Sequence, residues 1–229
     1  MEPMFILAIV LVSIVLLKII FKLDIKKAET LTENKELEKL TDKFPENVEV
    51  AKEMLKMLKN EKVKIEEAKN TQTSLYIVVT DKILIADMKN NYGRLQTIAH
   101  ECLHSVQDRR LLLFNFIFSN ILILYWLIIC ILTIANVITN ISMPIFALLL
   151  MATIKLIVRG FLETDAMTKS KYLAKEYIES KNILTKEETN SLLEKYEEIN
   201  KQGVPFTLVH ILSGSFLGIL MYALIALIT

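Results

Sequence analysis

Apolar residues in this 229-residue chain gather into four blocks, residues 4–21, 111–134, 141–158 and 206–228, whose only charged side chains are Lys18 and Lys155. The intervening segments carry nearly all of the 27 basic and 26 acidic residues. Apolar runs of about 18 residues or more match the hydrocarbon thickness of a bilayer. The pattern therefore predicts four membrane helices and excludes a plain soluble globule. Between the blocks the periodicity changes. Ala51, Met54, Leu55 and Leu58 recur at i, i+3, i+4 and i+7 behind Pro45, which predicts an amphipathic helix. The β-branched and aromatic runs 63–65, 75–79 and 83–86, the last two separated by Thr80, Asp81 and Lys82, predict a sheet of two or three short strands. From Tyr92 the pattern turns helical, and with neither Pro nor Gly between Arg94 and Pro144 this helix is expected to continue unbroken into the second block. Another helix is expected over 161–180. A later one opens with Thr185 and Glu188 at capping-box spacing and runs through Leu192, Leu193, Tyr196 and Ile199.

The fold class expected from these elements is mainly α, a four-helix membrane protein with a small α+β part on one side. Its organisation reads as an anchor helix (1–22), an α+β part (23–110), a transmembrane hairpin (111–158), a second helical part (159–205) and a last transmembrane helix (206–229). Basic residues near membrane ends stay in the cytoplasm. The segment before the second block is rich in Lys and ends in Arg109 and Arg110, the turn 135–140 has no charge, and Arg159, Lys169, Lys171 and Lys175 follow the third block. Both inter-block parts are thus expected in the cytoplasm, with the N-terminus and Thr229 outside. The first block is preceded only by Glu2 and followed by Lys22, Lys26 and Lys27, the reverse of a signal peptide, so it reads as an uncleaved anchor.

Composition adds exclusions. Five Gly and four Pro exclude a collagen-like or low-complexity chain, and two Cys exclude a disulfide framework. A net charge of +1 makes no electrostatic case for nucleic acid; the partners expected are the lipid bilayer and a protein or peptide substrate.

The chemistry is concentrated in AHECLHSVQD, residues 99–108, where His100, Glu101 and His104 form HExxH and use two of the chain's three histidines. On a helix, positions i and i+4 share a face, so both imidazoles reach one Zn²⁺ while the adjacent Glu reaches the water beside it. A catalytic zinc keeps three protein ligands. Glu163, in FLETDAM just beyond the third block, is the candidate third. At about 1.5 Å of rise per residue, it and the two histidines fall at similar depths on the cytoplasmic side of a short hairpin. Asp165 competes for this place, but two positions along a helix it faces away from Glu163; Glu163 is preferred, with Asp165 as a supporting partner. Ala166 and Ser170, on the Glu163 face, are small enough for close helix approach. Cys102 points away from His100 and reads as core. For oxyanion stabilisation Tyr172, Arg159 and His210 are the residues at hand.

The segments VEVAKEMLKMLKNEKVKIEE (48–67), IAHECLHSVQD (98–108) and ETDA (163–166), with a hydrophobic hairpin between the last two and a final span, resemble the YugP-like family of membrane-bound neutral zinc metallopeptidases, a gluzincin-type group. The resemblance covers most of the chain. It departs from the family at Leu103, where a small residue is usual, and at NTQTS (70–74), where a more polar stretch is usual. It implies a zincin-like fold for the α+β part, one Zn²⁺ per chain held by His100, His104 and Glu163, and Glu101 as general base. The activity expected is endopeptidase cleavage at the cytoplasmic membrane face: zinc lowers the pKa of water toward about 7 and polarises the scissile carbonyl, and Glu101 passes the water proton to the leaving amine. A peptide is expected to add to the edge of the strand pair 75–86. An intramembrane site-2-type protease fits less well, since Gln107, Asp108, Arg109 and Arg110 belong at a surface. A non-enzymatic membrane scaffold with an incidental or structural metal site is the alternative; a structural site wants four ligands, and only His210 is left to supply one.

Overall fold

The computed structural model describes residues 2–20, 34–68, 71, 73–88 and 91–229. The basic flank Lys22, Lys26 and Lys27 and part of the 70–74 stretch lie outside these. The protein is mainly helical, with one small sheet. In chain order the elements are α1 (Glu2–Ile20), α2 (Lys35–Thr41), α3 (Asn47–Met57), β1 (Lys64–Ala68), β2 (Leu75–Ile77), β3 (Lys82–Ala86), α4 (Arg94–His104), α5 (Arg109–Ile134), α6 (Ser142–Lys181) and α7 (Lys186–Ile228). The chain divides into two compact units, one of Met1–Leu23, Phe114–Phe161 and Pro205–Thr229, the other of Asp24–Leu113 and Leu162–Val204.

The first unit is apolar on its outside. Ile123, Ile131, Phe146, Ile157 and Leu217 are all more than half exposed, a distribution that suits a lipid-facing surface and not water. Among the described residues three helices, α5, α6 and α7, are long and apolar enough to cross a membrane. Within this unit the Trp126 indole donates to the Gly218 carbonyl (2.8 Å) and the Thr133 and Tyr222 hydroxyls pair at 3.1 Å. A Cβ at Gly160 would lie 2.8 Å from the Leu208 side chain, so a larger residue there would require that side chain to move. Lys155, one of the two charges in the apolar blocks, lines a cavity of about 370 Å³ together with Trp126, Ala152 and Gly214.

The second unit has an ordinary core. Of the predicted stripe, Ala51, Met54 and Leu55 are buried in α3 with Val50 beside them, and Leu58, the residue after the helix, is partly buried against the same core. Lys59, in the left-handed region (φ 55°), turns the chain out of the helix while the Asn60 amide returns to the Leu55 carbonyl (2.8 Å), a Schellman-type stop. The strands lie in the order β1-β3-β2, with β1 parallel and β2 antiparallel to β3. β3 is central and buries Ile83 and Ile85 completely. Its hairpin with β2 turns on Asp81 (φ 49°), whose carboxylate accepts from the Tyr76 hydroxyl at 2.8 Å. Leu95, Ile98, Ala99 and Cys102 of α4 meet this core, as do Ala166, Ala174, Tyr177 and Ile178 of α6 and Leu192 and Tyr196 of α7.

Two expectations about helix continuity change. The helix predicted to run from residue 92 into the second block is broken between His104 and Arg109. The break is chemically specified: the Asp108 carboxylate caps α5 by accepting from the amides of Arg110 (2.7 Å) and Leu111 (3.3 Å). The Asn60 side chain meanwhile holds Ser105 through its carbonyl (3.1 Å) and hydroxyl (3.0 Å). Conversely, the third block and the helix 161–180 form the single helix α6. The Thr185 capping box is present, with Glu188 Oε2 accepting from the Thr185 amide (2.8 Å) and Thr185 Oγ1 from the Glu188 amide (3.2 Å). From it α7 runs through Pro205 to Ile228.

Candidate metal centre

Helix α4 is anchored at its first residue. The Arg94 side chain is 1% exposed and donates to the carbonyls of Thr41 (2.7 Å), Phe44 (3.0 Å) and Pro45 (3.0 Å) and to Asn47 Oδ1 (2.7 Å). One turn of helix then separates His100 from His104 and sets their rings edge to face, centroids 4.5 Å apart. Their Nε2 atoms are 3.0 Å from each other, and Glu163 Oε2 lies 3.5 Å from the first and 3.7 Å from the second. Two ligands at about 2.05 Å from a tetrahedral metal are about 3.3 Å apart, and the three separations bracket that value. The donor set, two imidazoles and one carboxylate, is one that zinc accepts. Among the described residues, these three form a group that can hold a metal ion.

The surroundings set the charges. Burial works against ionising Glu163, yet its hydrogen bonds to the two histidines more than offset it and hold its carboxyl well below the usual range. Burial likewise opposes protonation of His104, but the Glu163 hydrogen bond and the nearby Glu101 outweigh it and raise its pKa. Glu101 is 6% exposed, and burial holds its carboxyl above the usual range against the pull of the two imidazoles. This is the polarisation wanted of a proton acceptor beside a metal. The helix that carries Glu101 packs against β2.

Asp165 faces elsewhere, as its position along α6 requires: it accepts from Gln107 Nε2 (3.0 Å) and pairs with Lys169 Nζ (2.5 Å). Ala166 and Ser170 are buried at 0% and 1% on the Glu163 side of the helix. Cys102 is fully buried with its thiol against the Ala51 carbonyl (3.8 Å), and burial pushes the thiol up. Of the residues considered for an oxyanion, Tyr172 is 65% exposed and half a helical turn out of phase with Glu163. Arg159 and His210 belong to the first unit, where His210 stacks on Phe206. Gln107 was expected only as a surface residue. It is instead part-buried, with His104 Nδ1 at 2.8 Å from its Oε1 and its Nε2 donating to the Leu162 carbonyl at 2.8 Å. Its spacing of three from His104 is the one local signal that places it a turn beyond the ligand. Compared with known protein families, curated proteins and solved structures, the chain matches none.

Proposed function

We propose that the protein is a membrane-bound zinc endopeptidase of the YugP-like type, with α1 as a fourth span, a zincin-like second unit and its active site on the cytoplasmic face. The observation that carries this reading is the convergence of His100, His104 and Glu163 on one point with the carboxylate of Glu101 buried beside it. Zn²⁺ held by those three side chains supplies a Lewis acid that activates water and polarises a peptide carbonyl. Glu101 accepts the proton of the attacking water as its oxygen bonds to the carbonyl carbon, then delivers that proton to the amine as the C–N bond breaks. The raised pKa of Glu101 strengthens it as the base in the first half of this transfer. β2 is an edge strand and packs against α4, the helix that carries the base. A substrate adding to it as an extended strand presents its main chain to the reacting groups.

The test uses full-length protein in detergent with a quenched unfolded-protein substrate. Cleavage that is lost on chelation, restored by Zn²⁺, and lowered about 100-fold or more by Glu101→Gln with metal retained supports the proposal. Zinc-loaded wild type that cleaves no better than Glu101→Gln leaves the membrane scaffold as the function.

A further inference from the structure

We propose that Gln107 is a positioning residue that locks His104 in the tautomer with its proton on Nδ1, leaving Nε2 free to bind a metal. The inference rests on reading His100, His104 and Glu163 as ligands and adds a residue to that site. The orientation of the amide decides it. Gln107 Nε2 lies 2.8 Å from the Leu162 carbonyl oxygen and 3.0 Å from Asp165 Oδ2. A carbonyl and an ionised carboxylate only accept. The Leu162 carbonyl by itself fixes which end of the amide is nitrogen, and the Lys169 ammonium 2.5 Å from Asp165 Oδ1 pairs with that carboxylate as an acceptor. Both hydrogens of the amide are therefore committed, and a flipped amide would set oxygen against oxygen at both contacts. Oε1 is left facing His104 Nδ1 at 2.8 Å, where it can only accept. The ring proton is thereby fixed on the side away from the point where His100 Nε2 and Glu163 Oε2 converge.

The same amide also sets register between helices. Leu162 and Asp165 flank Glu163 on α6, so one side chain from the end of α4 ties the second ligand's ring to the turn that carries the third. Partners of this kind are worth about 10- to 100-fold in metal affinity.

The experiment is ¹⁵N NMR of histidine-labelled, full-length, metal-free protein in detergent at alkaline pH, where the imidazole is neutral, with His104 assigned by His104→Ala. Zinc affinity is measured alongside by competition with a chromophoric chelator. Wild type is expected to carry the His104 proton on Nδ1. Gln107→Leu is expected to give a tautomer mixture and about 10- to 100-fold weaker zinc binding. Gln107→Met keeps the side-chain length without either polar atom and is expected to give the same tautomer mixture as Gln107→Leu. A wild-type His104 protonated on Nε2, or a Gln107→Leu protein with wild-type tautomer and affinity, overturns the proposal. Should Gln107→Leu fail to fold, the wild-type tautomer and Gln107→Met still decide it. Wild type that shows the Nδ1 proton yet binds no zinc supports the Gln107 contact and refutes the metallopeptidase reading.

Discussion

His104 is gripped from both sides of its ring, by Gln107 at Nδ1 and by His100 and Glu163 about Nε2. This makes the two acidic residues of the ETDA segment separable. Glu163→Ala is expected to abolish stoichiometric zinc, whereas Asp165→Ala retains it with affinity reduced about tenfold, read as metal per chain by mass spectrometry. Loss that follows Asp165 instead would reassign the third ligand. The pH dependence has two opposing signs. With zinc, binding requires a neutral His104, whose pKa is raised above 6.5, so affinity should fall as pH drops through that raised value. Without zinc, the raised His104 contributes stability that is complete below pH 6.5 and lost as pH rises through its folded value. The depressed Glu163 contributes stability present above pH 4.5 and lost as pH falls through its own. The melting-temperature gap between metal-free wild type and Glu163→Gln should therefore be widest between pH 4.5 and 6.5 and shrink as pH rises through the raised His104 value. A gap that keeps growing as pH rises above 6.5 contradicts the pairing. The motif residues were legible because HExxH is a local spacing. Gln107 was not, because its role depends on the break after His104, which turns it back toward α6.

Helix α4 depends on an element far from it in sequence. Arg94 ties its start to the end of α2 and the loop after it, donating to four oxygens through three buried hydrogen bonds and one part-buried bond to Pro45. Replacing it with Met removes those donors, and the expected loss is about 3 kcal/mol of unfolding free energy, since each stranded buried acceptor costs about 1–3 kcal/mol and some relax. Chemical denaturation measures it; a change below about 0.5 kcal/mol would show that the loop oxygens find other donors. The amphipathic stripe of α3 and the hairpin strands could be read from periodicity, which reflects one buried face. That β1 joins β3 in parallel and leaves β2 at an edge could not, because strand order depends on which edge the neighbouring helices leave open. The continuous helix expected from 92 onward failed for a related reason. Absence of Pro and Gly permits a helix, but Asp108 as a cap and Asn60 on Ser105 stop it.

For the whole molecule, the proposed four-span topology puts Thr229 outside and Glu187 in the cytoplasm. With Cys102 and Cys130 buried, single cysteines introduced at these two positions report on sidedness. A membrane-impermeant maleimide should label Thr229→Cys in intact cells and Glu187→Cys only after lysis. The opposite pattern would invert the topology and move the site to the other face. The sequence alone determined the apolar segments and the HExxH spacing, since both follow from runs and intervals along a single chain. Only the tertiary structure decided that Glu163, and not Asp165, meets the histidines and that Gln107 orients one of them. Those choices depend on the rotation of one helix against another, which a few degrees of turn change and no interval along the chain records.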